Sequence, residues 1–241
     1  MDRTPEPPAD LAPHPLDNPA LAALSGPHAR FAERHGRVLR YPVDMSPFTG
    51  MPSAPDAAAW ADAAELIGPG SLLVLAGYTT PPPEDWEQRF ALPGVQLTGE
   101  AVRGGADPEA VPLTAADVPE MLDLVARTQP GPFLPRTVEM GGYLGVRRDG
   151  ALVAMAGERM RPPGWTEISA VCTDPAFRGQ GLAARLVRAV AAGITARGEL
   201  PFLHAATENI GAIRLYESLG FRVRRKITFL GATVPGTPAE A

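Results

Sequence analysis

Apolar residues recur at two different spacings along the chain, and each spacing predicts a different kind of element. Within residues 181–197, four apolar side chains lie four positions apart, which predicts a helix with one apolar face: Leu182, Leu186, Val190 and Ile194. Residues 71–76 (SLLVLA) are apolar throughout and bounded by glycine, a pattern typical of a buried strand. The chain therefore combines helices with strands.

Capping and turn residues set the ends of the other predicted elements. Asp56 begins a helix over 56–67, and Thr114 begins another over 114–127. Asp149-Gly150 predicts a tight hairpin between strands over 142–148 and 151–160. The remaining predictions are a helix over 209–219 and strands over 37–41, 94–98, 165–173, 202–206 and 221–230. Hairpins come first and crossover helices follow, so we assign the chain to the α+β (mixed α/β) class.

Composition narrows the class of protein without giving a function. The chain has 241 residues, a net charge of −5 and 45% apolar residues, which fits a globular protein and argues against a nucleic-acid partner. Cys172 is the single cysteine, so a reducing, cytoplasmic compartment is expected. The first fifteen residues lack the apolar core of a signal peptide, and no apolar run approaches the roughly 18 residues of a membrane span. No membrane partner is therefore predicted. No metal site is predicted either.

Glycine and proline divide the chain into three parts. Residues 1–15 are proline-rich and predicted to be disordered or loosely packed. Residues 16–105 form a first α/β unit that ends in a glycine-rich, linker-like segment. Residues 106–241 form a second unit, which contains the segments with chemical interest.

A glycine loop with one arginine lies between the strand over 165–173 and the helix over 181–197. Its sequence runs Arg178-Gly179-Gln180-Gly181-Leu182-Ala183. Glycine lets the backbone turn sharply and approach a ligand closely, and the free N–H groups of a helix start attract an anion such as a pyrophosphate. By itself the pattern is weak, because a surface turn with an exposed arginine has the same residues. A P-loop and a dinucleotide fingerprint are both absent.

A second motif follows downstream, where residues 209–221 read N-x-x-A-x-x-x-Y-x-x-x-G-F. Asn209, Ala212 and Tyr216 lie at helical spacing on one face. By residue type alone, Asn209 is a helix cap and Tyr216 a core residue. Together and in this order, the two motifs resemble the GNAT superfamily of N-acetyltransferases over residues 111–231, about half the chain.

The resemblance implies a fold, a co-substrate and a binding site. The fold is a central mixed, mostly antiparallel sheet flanked by helices, preceded here by a degenerate GNAT-like domain at 16–105. The co-substrate is acetyl-CoA, whose pantetheine arm pairs with strand backbone and whose pyrophosphate lies on the glycine loop. The implied binding residues are Val171, Cys172, Thr173, Arg178, Gly179, Gln180, Gly181, Leu182, Ala183, Asn209, Ala212 and Tyr216.

The resemblance also implies catalytic roles. Tyr216 matches the general acid that protonates the departing thiolate. For the base we propose Glu167, acting directly or through a water; the alternatives are a surface glutamate or one paired to an arginine such as Arg159. Strict alternation along the strand places Glu167, Ser169, Val171 and Thr173 on one face, and Cys172 on the other. His204 is a second base candidate or a hydrogen-bonded core residue, and Cys172 is core filler in preference to a nucleophile.

The two-unit layout is similar to the glycine-N-acyltransferase branch of the superfamily. The acceptor then binds between the halves and is the amine of a small molecule or amino acid. Arg136, Arg159 and Arg161 are candidates for holding an acceptor carboxylate, or solvated arginines. The alternative function is a non-catalytic acyl-CoA sensor or scaffold. The sequence does not fix the length of the acyl group. It also leaves the oligomeric state open, and a homodimer is one of the possibilities.

Overall fold

The computed structural model describes residues 14–78 and 80–236. Its strands run in chain order as follows: β1 (Glu33–His35), β2 (Val38–Arg40), β3 (Thr49–Gly50), β4 (Leu72–Ala76), β5 (Glu87–Thr98), β6 (Val111–Leu113), β7 (Tyr143–Arg148), β8 (Ala151–Glu158), β9 (Trp165–Thr173), β10 (Leu200–Ala206) and β11 (Arg222–Thr233). The α-helices of the described residues are α1 (Pro19–Leu24), α2 (Ala57–Ile67), α3 (Val118–Thr128), α4 (Leu182–Ala196) and α5 (Ile210–Ser218).

Eight strands form one mixed sheet in the order β4-β11-β5-β10-β9-β8-β7-β6. The pair β9 and β10 is parallel, and the neighbouring pairs on both sides are antiparallel. A small second sheet, β1-β2-β3, belongs to the first half of the chain. The predicted α+β class with a mostly antiparallel sheet is therefore confirmed.

The two halves of the chain share the large sheet. Strand β5, from the first half, lies between β10 and β11, and β4 pairs with the other edge of β11. Next to the expected boundary, the main-chain N–H of Gly105 donates to Arg188 on α4, and Arg185 donates to Asp107 at 2.7 Å. The segment predicted as a linker is thus packed on a helix, and the first half completes the sheet instead of preceding it as a separate layer.

Most predicted elements are present, with corrected ends. Asp56 caps α2 by accepting the N–H of Ala59, and Thr114 and Asp117 form a capping box before α3. The hairpin at Asp149-Gly150 has both residues at positive φ, as its turn type requires. The strand predicted over 94–98 begins already at Glu87, and β1, β3 and β6 were not predicted. Residues 1–13 lie outside the described part. His14 and Pro15 do not fit the expected disorder, because they begin a short 3-10 helix.

Two apolar clusters cover the opposite faces of the sheet. Met155 lies in one cluster with residues of α3, whereas its neighbours Ala154 and Ala156 lie in the other with residues of α4. The predicted apolar face of α4 is confirmed, since all four of its spaced residues are buried in that second cluster. The helices therefore flank the sheet on both sides.

A β-bulge interrupts the alternation of β9. The pairing with β8 shifts register between Met155 and Gly157, and Ala170 has a φ of +52°. Ile168 and Val171 pack in the cluster of α4, whereas Ala170 and Cys172 pack in the cluster of α3.

The predicted alternation is therefore wrong beyond Ser169. Glu167 precedes Ile168 and so lies on the face of Ala170 and Cys172, while Val171 lies on the other face. The physical reason is the one extra residue of the bulge, which reverses the faces of all later side chains. Cys172 and Glu167 consequently share a face.

We predict that glycine is tolerated better at position 170 than at 156, on the facing strand. Both changes remove one buried methyl group, but only Ala170 holds a side chain at positive φ. The variant Ala156→Gly is expected to be less stable than Ala170→Gly by about 1–2 kcal/mol, because glycine relieves strain only at position 170. Urea unfolding measures both free energies, and equal losses in the two variants contradict the bulge.

Candidate active site

Strands β9 and β10 part in the middle of the sheet and leave a cavity between them. Their register pairs end at Phe202 and Glu167, although β9 continues to Thr173 and β10 to Ala206. A cavity of about 1020 Å³ opens there, lined by both strand ends, the glycine loop, α5 and parts of the first half. Such a volume accommodates the arm of a cofactor together with a small acceptor.

The glycine loop forms one end of this cavity. Gly179 and Gly181 have φ values of 79° and 73°, a region that favours glycine. No side chain caps the start of α4, whose N-cap residue is Gly181. The first N–H groups of a helix have no partner within the helix, so those of α4 are available to an anion. Arg178 is exposed and forms no ion pair among the described residues.

Most of the loop residues predicted to bind the pyrophosphate line the cavity. These are Arg178, Gly179, Gly181, Leu182 and Ala183, whereas Gln180 lies outside the lining. Leu182 is the first residue of α4, and its side chain points into the core. Only its backbone can therefore face a ligand. The predicted site is thus assembled from backbone groups with one arginine beside them.

The backbone N–H and C=O groups of Thr173 and Cys172 point to opposite sides of β9. The N–H of Asp174 donates to Val153 on β8 at 2.8 Å. Successive strand residues point their N–H and C=O groups alternately to the two sides of the strand. Like Asp174, Cys172 therefore points these groups towards β8, where its register partner is Met155. The N–H and C=O groups of Thr173 point to the opposite side, into the cavity. Of the two, only Thr173 directs its backbone groups into the cavity, where its carbonyl oxygen accepts from Arg178 Nε at 3.4 Å.

The environment of the Cys172 side chain is that of a core residue and does not suit a nucleophile. Burial raises the pKa of the Cys172 thiol to about 11, so the thiol is protonated at neutral pH. A protonated thiol is a poor nucleophile. Cys172 packs with Met155 and Tyr143 in the cluster of α3, as expected of core filler.

Asn209 and Ala212 lie at the start of α5, on the opposite wall. The Asn209 side-chain oxygen accepts the N–H of Ala212 at 3.1 Å, so Asn209 is a helix cap. Both residues also line the cavity, and the Asn209 amide nitrogen makes no hydrogen bond to a described residue. The cap reading and the binding reading are therefore compatible.

Tyr216 lies on the same helix, nearer to its C-terminal end. Its side chain is buried and packs edge-on against Phe221 at 6.0 Å between ring centroids. Burial raises the pKa of Tyr216 to about 12, which keeps the phenol protonated at neutral pH. Tyr216 lines the cavity, and its hydroxyl makes no hydrogen bond to a described residue. The phenol is available as a proton donor.

Glu167 is fully buried in an ion pair and does not line the cavity. Arg159 donates from Nε and Nη2 to its two carboxylate oxygens at 2.9 and 2.8 Å. Burial raises the pKa of Glu167, but the charge and hydrogen bonds of Arg159, with a hydrogen bond from His204, outweigh it and hold the pKa well below its usual range. The alternative of pairing to Arg159 is confirmed, and this geometry removes direct contact between Glu167 and an acceptor amine.

The hydrogen-bond partners of His204 fix its tautomer. Arg224 donates to the Gln96 side-chain oxygen at 2.9 Å, so the Gln96 amide nitrogen points at His204 Nε2, 3.1 Å away. An amide nitrogen only donates, so Nε2 accepts and Nδ1 carries the hydrogen. Nδ1 then donates to Glu167 at 2.8 Å. His204 lines the cavity, and the Glu167 carboxylate orients its ring.

Of the three arginines expected near the acceptor, one reaches the cavity. Arg159 lines it and lies over the ring of Phe48 at 4.8 Å. Arg136 pairs with Glu139 and Arg161 pairs with Glu199, and both lie outside the lining. These two arginines are therefore ion-paired and partly exposed, away from the cavity, and the solvated alternative does not describe them.

Sequence reasoning missed the residues that the first half and β11 contribute to the cavity. Phe48, Val74, Phe90, Leu92 and Phe229 line its end nearest to Arg159 and His204. Alternation over residues 90–94 was the available signal, but the strand was predicted to begin only at 94. Gln96 had no signal, because its role depends on β5 lying beside β10.

Comparison with known proteins identifies the family. The family described as FR47-like protein matches residues 143–230. One similar solved structure is the crystal structure of a putative acetyltransferase from the GNAT family of Novosphingobium aromaticivorans. It is 42% identical in sequence and has a TM-score of 0.85. The match covers 93% of this chain and 100% of that chain. A GCN5-related N-acetyltransferase from Kribbella flavida shares the fold at 19% identity, with a TM-score of 0.57 over 90% of this chain and 96% of its own.

One curated relative matches a shorter segment. The N-alpha-acetyltransferase RimI of Mycobacterium tuberculosis is 39% identical over 83 residues, which are 33% of this chain and 51% of that protein. The match thus spans about half the length of the curated relative.

The chain belongs to the GNAT family of acetyltransferases, because the Novosphingobium match is high in identity and covers nearly all of both chains. The resemblance drawn from the two motifs is thereby confirmed. Membership implies acetyl-CoA as the co-substrate. Among the described residues, no helix has the length and apolar character needed to cross a membrane.

We predict that Glu167→Gln lowers the free energy of unfolding by about 3–5 kcal/mol, because it leaves the buried Arg159 guanidinium without its counter-charge. The folded-state pKa of Glu167 is lowered, so the stability from the pair is present above the ordinary carboxyl value and lost as pH falls through the folded-state value. Urea unfolding at neutral pH is the measurement. Glu109→Gln is the control, since that carboxylate pairs with Arg148 and Arg185 at the exposed surface. A loss at Glu167 as small as in the control contradicts the buried pair.

Proposed function

We propose that this chain transfers an acetyl group from acetyl-CoA to the amine of a small molecule or amino acid, by direct attack in a ternary complex. The observation that carries the proposal is that an anion-binding glycine loop and a buried tyrosine hydroxyl line one continuous cavity. The cavity volume of about 1020 Å³ accommodates the pantetheine arm together with a small acceptor. A covalent route through Cys172 is disfavoured because burial raises the thiol pKa to about 11.

The cavity gives each part of acetyl-CoA a partner. The backbone of residues 179–183 and the Arg178 guanidinium take the pyrophosphate. The backbone of Thr173 takes the pantetheine amides, with Val171 beside it. Asn209 and Ala212 lie along the arm on the helix side. The thioester then lies near Tyr216, at the end where β9 and β10 meet.

Tyr216 is the general acid of the proposed reaction. The amine nitrogen bonds to the acetyl carbonyl carbon, the carbon–sulfur bond breaks, and the departing thiolate takes the phenol proton. Burial keeps Tyr216 protonated, with a pKa of about 12. Its hydroxyl also has no competing partner among the described residues.

His204 is the proposed proton acceptor, with Glu167 as a positioning residue. The titratable side chains on the cavity are Arg159, Arg178, Cys172, His204 and Tyr216. Arginine carries no acceptor atom, and burial raises the pKa of the thiol and of the phenol, which leaves the His204 imidazole nitrogen as the proposed proton acceptor. Glu167 holds Nδ1–H and stabilises the imidazolium that forms. The Gln96 amide occupies Nε2 in the structure, so the amine or a water must replace that hydrogen bond.

We predict that Tyr216→Phe lowers kcat about 10²–10⁴-fold, because the thiolate leaves without a proton donor. The dissociation constant of acetyl-CoA, measured by calorimetry, should change little. Tyr143→Phe is the matched control: its hydroxyl is also buried and has no hydrogen-bond partner among the described residues, but it does not line the cavity. Full activity of Tyr216→Phe refutes the acid assignment. Acetyl-CoA binding without turnover in the wild type favours a sensor.

We predict that His204→Asn lowers kcat/KM most at neutral pH and least at high pH, where the acceptor amine is already deprotonated. Asparagine keeps an N–H near the position of Nδ1, so the bond to Glu167 is preserved and the base is lost. The pH profile of kcat/KM is the measurement. His28→Asn is the control, because His28 is buried and hydrogen-bonded to Tyr41 away from the cavity. A uniform loss at all pH values indicates a structural role.

A further inference from the structure

One end of the cavity is lined by apolar side chains, which we call the aromatic wall: Phe48, Val74, Phe90, Leu92 and Phe229. All but Phe229 come from the first half of the chain. Four of these residues lie on β4, β5 and β11, on the side of β10 away from β9, and Phe48 joins Val74 through an isolated bridge. The proposed positions of acetyl-CoA therefore leave the wall to the acceptor.

The rings of the wall are held by close packing. Phe229 lies 6.2 Å from Phe48 and 5.8 Å from the His204 ring, centroid to centroid. A Cβ at Gly94 would lie 2.7 Å from the Phe229 ring, and a Cβ at Gly231 would lie 2.2 Å from the Phe90 ring. The two glycines thus let the phenylalanines lie flat against the sheet. The wall is a formed surface that needs no rearrangement to receive an apolar group.

The charges around the cavity are all basic. Among the described residues that line it there is no aspartate or glutamate, and the fixed charges are Arg159 and Arg178. The nearby carboxylate of Glu167 is neutralised by Arg159. A polyamine or an aminoglycoside needs several carboxylates for its additional positive charges. This cavity offers them no such partner.

We propose that the acceptor is a small monoamine with an apolar, phenyl-sized group, which the aromatic wall binds while its nitrogen faces His204. Phe90 and Leu92 are specificity-determining residues of this site. The inference rests on the proposed function and adds the chemical class of the acceptor.

The first experiment compares amines on the wild-type protein. Acetyl-CoA binding is measured by calorimetry, and thiol release is then followed at saturating acetyl-CoA with 2-phenylethylamine, glycine or spermidine as acceptor. We expect kcat/KM for 2-phenylethylamine to exceed that for spermidine and glycine at least 10-fold. If acetyl-CoA fails to bind, the proposed function falls. If it binds but spermidine or glycine is preferred, or 2-phenylethylamine is neither bound nor acetylated, the inference alone is overturned.

The second experiment tests the wall itself. Phe90→Ala should lower kcat/KM for 2-phenylethylamine about 10- to 100-fold and leave the KM of acetyl-CoA unchanged. Phe31→Ala is the matched control, because Phe31 packs against the same core cluster as Phe90 but does not line the cavity. Equal effects of the two variants overturn the role of Phe90.

A charge variant tests the electrostatic part of the inference. Leu92 is 55% exposed at the cavity, so Leu92→Asp adds a carboxylate there without burying it. We expect the kcat/KM ratio of spermidine to 2-phenylethylamine to rise at least 10-fold. Val223→Asp, at a site 45% exposed on β11 and outside the cavity lining, is the control. An unchanged ratio in Leu92→Asp overturns the assignment of this wall to the acceptor.

Discussion

The parting of β9 and β10 beyond the Glu167–Phe202 pair is the constraint on which the site depends. Neighbouring strands lie about 4.8 Å apart while ladder hydrogen bonds join them, so no ligand enters a paired region. Where the pairing ends, the backbone of Thr173 faces the cavity instead of a neighbouring strand, and the chain can bind another extended molecule. The buried cluster of Arg159, Glu167 and His204 lies at this branching point. Its ion pair joins β9 to the end of β8, and the hydrogen bond of His204 joins β9 to β10. The residues that hold the strands where they part are therefore also residues of the proposed site.

The first half of the chain completes both the sheet and the site. Strand β5 places Gln96 opposite His204 and thereby fixes the imidazole tautomer. The same strand and β4 supply the apolar end of the cavity. The second half supplies the glycine loop, the tyrosine and the branch between strands. Neither half alone lines the whole cavity.

Local features were predictable from sequence where a local interaction decides them. The caps at Asp56 and Thr114, the Asp149-Gly150 turn and the apolar face of α4 each depend on neighbours within one or two turns of chain. The bulge at Ala170 was not predictable, because alanine is uncommon at positive φ and the pairing with β8 imposes it. The insertion of β5 between β10 and β11 is a long-range arrangement with no local signal. The environment of Glu167 was predictable only in part: pairing with Arg159 was an alternative drawn from the sequence, whereas the contact with His204 depends on the pairing of β9 with β10.

Amide hydrogen exchange with and without acetyl-CoA tests the central claim, that the gap between β9 and β10 is the co-substrate site, most directly. The account predicts slower exchange at Thr173 and at residues 179–184, whose N–H groups face the cavity or begin α4, with little change at α2. Acetyl-CoA that leaves these amides unaffected, or protects instead the surface groove around Trp60 and Trp86 on the far side of β4, would contradict it.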